Sequence, residues 1–287
     1  MKKLILLVSL AVVTTNASAA SAPVWKVETV FQQPESAYYD PTMKNIFVSN
    51  VAGKGNEKDG KGWITRLDTT GKVLNEKWVE GLDAPKGLRA QGGNLWVSNI
   101  DEVVRIDIAN AKIAERIKID GAKFLNDIAV SDDGTVWVSD MLGNAIYEIR
   151  GGKSTVLMQG PECESPNGLL WQKGGKLLVA GWGTEIAADF STNIPGHLYE
   201  IDLKTKKKRL ITKKPVGHLD GLENDSANGY LVSDWSAGKV FRISAKGSVQ
   251  EILSGFTHAA DIGYISAQKT VLVPDMGAST VSAYKRF

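Results

Sequence analysis

The chain has 287 residues, of which 43% are hydrophobic and 23% charged, with a formal net charge of +2. That length suits one large all-β domain or two smaller ones, and the composition is ordinary for a soluble globular protein. The near-neutral balance carries no signature of nucleic-acid or anionic-membrane binding, and no nucleic-acid partner is expected.

The first residues read as a secretory leader. Lys2 and Lys3 precede the apolar run Leu4 to Val13, and Ala17-Ser18-Ala19 fits the small-x-small cleavage rule. A signal peptide is therefore expected over 1–19 and a single mature domain over 20–287. The apolar run is too short to span a bilayer, and no later run is long enough. An exported protein follows, most simply in a bacterial periplasm. Cys163 is the one cysteine, so no internal disulfide is expected. It has no histidine close in sequence and reads as a structural or incidental thiol.

Past the leader, Val24 to Val30 alternates like a strand. A unit then recurs about every 40–50 residues, without helical patterning, which marks a β-propeller with one four-stranded blade per repeat. Each copy has a polar anchor, an alternating strand, a turn, and a strand ending in a small residue plus Asp, Asn or Gly. The clearest are Leu125-Asn126-Asp127-Ile128 leading to Val136-Trp137-Val138-Ser139-Asp140, and Leu219-Asp220-Gly221-Leu222 leading to Tyr230-Leu231-Val232-Ser233-Asp234. Blade one starts at Glu35, blade two near Pro85-Lys86-Gly87, blade three at Asn126, blade four at Pro166-Asn167-Gly168, blade five at Asp220 and blade six at Ala260-Asp261. Blade six ends with its third strand, so the N-terminal segment 24–31 supplies the fourth and closes a six-bladed ring. Trp96 and Trp137 read as packing between blades. The basic run Lys204 to Arg209 reads as a solvated hairpin tip.

Two insertions, Val51 to Gly62 and Trp182 to Gly196, follow inner strand pairs and should lie on the channel's upper face. They are either lids or walls of a substrate site, or plain loop length. Trp182 and Trp235 directly follow strand ends and are candidates for the substrate mouth.

The first inner positions line up as Glu35, Lys86, Asn126, Asn167, Asp220 and Asp261. Three acids and two amides around one channel mouth are potential hard oxygen ligands, the donor set that calcium takes. No His or Cys stands at these positions, which argues against zinc or copper. Any one Asn or Asp is also explained as a turn former; the repeated placement is what points to a metal.

Taken together, Pro34-Glu35-Ser36-Ala37, Leu125-Asn126-Asp127, Ser165-Pro166-Asn167-Gly168-Leu169 and Leu219-Asp220-Gly221-Leu222 resemble the senescence marker protein / gluconolactonase / luciferin-regenerating enzyme-like family of six-bladed propellers. More distantly the chain is similar to the paraoxonases. The resemblance covers essentially the whole mature chain. It implies one divalent cation, commonly calcium, on Glu35, Asn167 and Asp220, with Asn126 contacting metal-bound water or substrate. It also implies hydrolysis of lactones or related esters, although this fold and metal site host several chemistries.

The departures are informative. Sugar-lactone members carry an arginine where this chain has Phe124, which points toward a more apolar lactone or ester. The histidine pair of the paraoxonases has no match. Lys86 beside a cation site either turns inward to polarise a carbonyl or bind a carboxylate, or snorkels outward. Asp220 is a candidate base from the metal shell, with Asp127, His218, His258 and Asp261 as the others. His218 and His258 precede anchors of adjacent blades and are expected to approach each other at the mouth, or else to serve packing. Asp127 has a second reading, bonding to the neighbouring blade's backbone.

The expected function is a monomeric, exported, calcium-dependent hydrolase of a small lactone or ester. A non-catalytic, metal-stabilised propeller that binds a small ligand or partner protein is the alternative. A strictosidine-synthase-like condensing enzyme shares the fold, but that chemistry usually relies on an acidic base without metal.

Overall fold

The computed structural model describes residues 22–187 and 189–285. The expected leader over 1–19 lies outside them. Six four-stranded antiparallel sheets follow one another in chain order. The first five are consecutive meanders, with inner strands Pro34–Asp40, Pro85–Gln91, Leu125–Val130, Pro166–Gln172 and Leu219–Asp225. These inner strands pack side by side around one ring with Gly263–Ile265 of the sixth sheet. The fold is the expected all-β, six-bladed β-propeller.

The sixth sheet is composite. Trp25–Val27 pairs antiparallel with Thr280–Lys285, with Trp25 opposite Ala283. Val24 N–H adds a bond to Ala283 O at 2.7 Å, and Trp25 Nε1 donates to Thr69 O of blade one at 3.2 Å. The closing strand is shorter than the expected segment 24–31. Beyond it, Phe31 leaves the ladder and joins Ile46, Val48, Leu272 and Val281 in the core between blades six and one.

Alternation buries one face of each strand against the next blade, so the apolar core is a series of inter-blade clusters. Phe47, Ile64 and Val79 meet Leu88, Leu95 and Val97. Trp137 packs on Leu169, Leu177 and Val179 of blade four, and Trp96 packs toward blade three, as expected of both. Among the described residues no helix is long and apolar enough to cross a membrane.

Blade four departs from the others at its rim. Strands ending in Asp140 and Asp275 use that carboxylate to accept N–H bonds from the preceding loop and the following turn. Blade four ends in Gly181, and Glu164 takes over. Its Oε2 accepts from His197 N at 3.0 Å and lies 2.9 Å from His197 Nδ1, while Oε1 pairs with Lys208 Nζ at 2.6 Å. Lys208 is thus drawn out of the basic run, which is solvated at Lys204, Lys206 and Lys207. Cys163 is buried beside this cluster, and burial pushes its thiol up to about 12, consistent with a structural thiol.

Candidate active site

A β-bulge positions each anchor. In blades one to five the inner strand carries one extra residue against its partner, between Pro34/Ala37, Pro85/Leu88, Leu125/Ile128, Pro166/Leu169 and Leu219/Leu222. A bulge re-aims the side chains of its strand and leaves an N–H without a ladder partner. Here serine hydroxyls accept from those groups: Ser49 from Ser36 N at 2.9 Å, Ser139 from Asp127 N at 2.9 Å and Ser233 from Gly221 N at 2.8 Å. Ser139 and Ser233 also donate to the next blade's backbone, at Asn167 O and Ala260 O, both 2.7 Å.

That register corrects one anchor. The residue before each anchor pairs with the strand-ending residue, as Leu219 does with Asp234. In blade six Ala259 pairs with Asp275, so Ala260 is the sixth anchor. Asp261 stands one place later, equivalent to Asp127. Its Oδ2 accepts from Ser36 Oγ at 2.5 Å, its N–H donates to Glu35 O at 2.8 Å, and it does not line the cavity. Glycine fills the same place in blades two, four and five because the next blade is too close. A Cβ on Gly168 would lie 2.0 Å from Asp220 O, and one on Gly221 2.2 Å from Ile262 N. Gly221→Ala is expected to cost about 1–3 kcal/mol by overpacking, read as a lowered urea midpoint; an unchanged midpoint would show that the adjoining blade does not constrain the bulge.

Above the ring lies a cavity of about 260 Å³ lined by Glu35, Lys86, Asn126, Asn167 and Asp220, together with Phe124, Trp182 and Trp235. The structure therefore brings together the five polar anchors of blades one to five and three of the candidate wall residues. Each polar anchor is at most 5% exposed. Glu35 Oε2, Asn126 Oδ1, Asn167 Oδ1 and Nδ2, and Asp220 Oδ1 are buried without a hydrogen-bond partner. Buried polar atoms are normally satisfied, so unsatisfied ones sharing one cavity call for a ligand. Burial, then the charges of Asp220 and Asp261, raise the Glu35 carboxyl well above its ordinary range. Burial, then Asp127 and Asp234, do the same to Asp220.

Two carboxylates and two amides fit a hard divalent cation. Among the described residues no group of three or more His, Cys, Asp or Glu side chains could hold a metal. Any ion held here would have to draw on the amide oxygens as well as the two carboxylates. Lys86 points inward: Nζ donates to Gly55 O at 2.9 Å and Ala84 O at 3.0 Å, and lies 4.3 Å from the Phe124 ring centre. Burial, opposed by Glu35, lowers its ammonium to about 8.

The other candidate bases lie off the cavity. Asp127 is committed to backbone, its Oδ2 accepting from Leu169 N of blade four at 2.7 Å and Oδ1 from Ile128 N at 2.6 Å. Burial still raises it to about 6, against the pull of Arg89. The two histidines each stack on a different indole of the cavity wall. His218 stacks on Trp182 at 5.0 Å and shares a 3.0 Å bond with Thr192 Oγ1. His258 stacks on Trp235 at 3.6 Å, and the two indoles lie 5.8 Å apart.

Both insertions reach the site and are pinned there. Gly55 and Asn56 of the first line the cavity, and Lys58 holds Asp101 at 2.6 Å. The second folds into a ribbon, Gly183–Thr184 with Ile194–Pro195. Trp182 Nε1 donates to Phe190 O at 2.8 Å, which sets the Phe190 ring against the cavity. Glu185 bonds Asn193 and Asp189 caps Ser191, so these polar groups serve the ribbon itself. Met141, Leu142, Phe190 and Met276 complete an apolar wall that sequence reasoning missed. A signal existed: Met141 and Met276 directly follow strand ends, the same register as Trp182 and Trp235.

Below the ring the channel is crossed by Arg89. It pairs with Glu223 on the opposite blade at 2.5 Å and donates to Ile128 O at 3.3 Å and Leu169 O at 3.4 Å. Its guanidinium also lies 5.3 Å from the Tyr38 ring centre.

Much of the chain has a sequence counterpart in a known family. Residues 64–267 match the SMP-30/gluconolactonase/LRE-like region. The chain belongs to this family. Asn126, Asn167 and Asp220 fall within the match, and Glu35 precedes it. No curated protein sequence matches the chain. Among solved structures, this SMP-30/gluconolactonase/LRE-like chain is similar to a gluconolactonase from Xanthomonas campestris (TM-score 0.69, 14% identity, 90% of this chain and 88% of that one). A putative gluconolactonase aligns with TM-score 0.66 and 17% identity over 93% of this chain and 92% of that one. A catalytically inactive virginiamycin B lyase from Staphylococcus aureus, solved with quinupristin, aligns with TM-score 0.58 and 15% identity over 92% of this chain and 99% of that one. At these identities the likeness shows the shared fold.

Proposed function

We propose that this protein is an exported, divalent-metal-dependent hydrolase of an apolar lactone or ester, with calcium the expected ion. Family membership supports a lactonase-type propeller. The observation that carries the rest is the convergence of four buried, unpartnered oxygens, on Glu35, Asn126, Asn167 and Asp220, at one cavity. Glu35, Asn167 and Asp220 would hold the ion, with Asn126 beside it. A bound divalent cation supplies Lewis acidity toward an acyl carbonyl. Asp220 Oδ1 is the candidate to take the proton of a water that adds to the acyl carbon. It would return that proton to the leaving oxygen as the acyl C–O bond breaks, giving a hydroxy acid from a lactone, or acid and alcohol from an ester. The wall of Phe124, Met141, Trp182, Phe190 and Trp235 would seat the apolar body and exclude bulk water.

One observation favours the non-catalytic alternative. Among the described residues Asp127, Asp261, His218 and His258 do not line the cavity, so no carboxylate or imidazole outside the expected metal shell faces it. Proton release from a panel of sugar, aliphatic and aromatic lactones decides. Turnover of apolar lactones that vanishes on chelation and returns with calcium is the expected result. No turnover across the panel, with calcium still raising the melting temperature, would establish the ligand-binding propeller instead.

A further inference from the structure

Lys86 is a buried cation without a counter-ion in reach. It is 3% exposed, and among the described residues no carboxylate stands within ion-pair distance of Nζ. The other buried cation of the channel, Arg89, has Glu223 at 2.5 Å. Glu35 acts on Lys86 only at longer range, and its Oε2 is one of the unpartnered cavity oxygens. An ammonium carries three N–H donors, and Gly55 O and Ala84 O occupy two of them. Those carbonyls, one from the first insertion and one from the approach to blade two, prevent the side chain from snorkelling out. The site thus holds a pre-positioned positive charge with one donor to spare, beside the Phe124 ring and facing the same cavity as Trp182, Phe190 and Trp235. A buried charge is stable when paired, and the missing partner is an anion.

We infer that the ligand of this cavity carries a carboxylate that pairs with Lys86, on an apolar, ring-bearing body that lies against the aromatic wall. The inference rests on the reading of this cavity as an ester or lactone site and names the class of compound it takes. Lys86 is then a specificity-determining residue, and a neutral polyhydroxylated ring would leave the ammonium without a counter-charge.

The test is equilibrium binding, separate from turnover. N-Benzylsuccinamate offers a phenyl ring, an unreactive acyl carbonyl and a carboxylate; N-benzyl-N′-methylsuccinamide is its neutral counterpart. Calorimetry on the calcium-loaded protein should show the carboxylate binding at least about tenfold more tightly, as expected of a charge-assisted hydrogen bond. In Lys86→Met the preference should fall to about one, and Lys86→Arg should retain most of it. Lys86→Gln substitutes for Lys86→Met if the latter does not fold. A preference unchanged in the uncharged variant would mean that the metal alone reads the carboxylate, and would overturn the inference. So would equal binding of the two probes, or no binding of either, by the wild-type protein. Hydrolysis of monobenzyl succinate and benzyl methyl succinate is followed in parallel. Anion-selective binding with neither ester turned over would sink the hydrolase and leave the role of Lys86 standing. Turnover without selectivity would do the reverse.

Discussion

Asp220→Asn is expected to abolish calcium-dependent turnover and, at the same time, to stabilise the chelated protein at neutral pH. Loss of a group that acts on the reacting atoms costs on the order of a hundredfold or more in rate. The stability effect follows from burial. Glu35, Asp220 and Asp261 are raised well above the ordinary carboxylate range, and Asp127 to about 6. A raised carboxyl binds its proton more tightly folded than unfolded. Its contribution is therefore complete below about pH 4 and is lost as pH rises through the folded value.

Without metal, stability should fall from about pH 4 through 6 and above. Below that window Asp101, Glu164 and Glu200, which are held low by lysine, arginine and histidine partners against burial, lose their ion pairs. The chelated wild type is therefore most stable in mild acid. Calcium at a hundredfold excess over its Kd should restore about 2.7 kcal/mol. Asp220→Asn removes one penalised charge and one ligand, so it should gain far less. Melting curves from pH 4 to 8, with calcium and with chelator, read all of this. A variant stabilised by calcium as strongly as the wild type would place the ion elsewhere.

Arg89→Met should be strongly destabilising, about 3 kcal/mol, because it leaves the half-buried Glu223 carboxylate unpaired and frees two buried carbonyls. One side chain from blade two bonds blades three, four and five, so the loss is felt around the ring. Replacing both partners, Arg89→Met with Glu223→Leu, should recover much of it, since a well-packed apolar pair can match a buried ion pair. Urea unfolding of the two variants separates these outcomes. A single variant within about 1 kcal/mol of wild type, the range of exposed ion pairs, would show that the pair is solvated and does not tie the blades.

Much of the site was legible because a propeller repeats. Glu35, Asn126, Asn167 and Asp220 could be lined up from the strand patterns around them, and equivalent positions in a ring must face one axis. The same logic failed by one residue in blade six. The pattern Ala260-Asp261-Ile262-Gly263 offers an acid where other blades have an anchor, yet only the pairing of Ala259 with Asp275 shows that Asp261 is one place too late. Alternating polarity specifies which face a strand buries, but a bulge shifts that alternation by one, and its position is set by hydrogen bonds to a neighbouring strand.

Composition and periodicity were sufficient for the ring of blades, the N-terminal closure and five of the six anchor positions, because strand alternation and repeat length are local properties of the chain; the choice of four of them as oxygen donors rested on the family resemblance. Tertiary structure decided the rest. Whether Lys86 turned inward depended on carbonyls at Gly55 and Ala84. That His218 and His258 each stack on an indole depended on where Trp182 and Trp235 sit. The pairing of Arg89 with Glu223 spans 134 residues of chain. Each of these turns on which groups distant segments bring within a few ångströms, and side-chain hydrogen bonding and desolvation act only at that range.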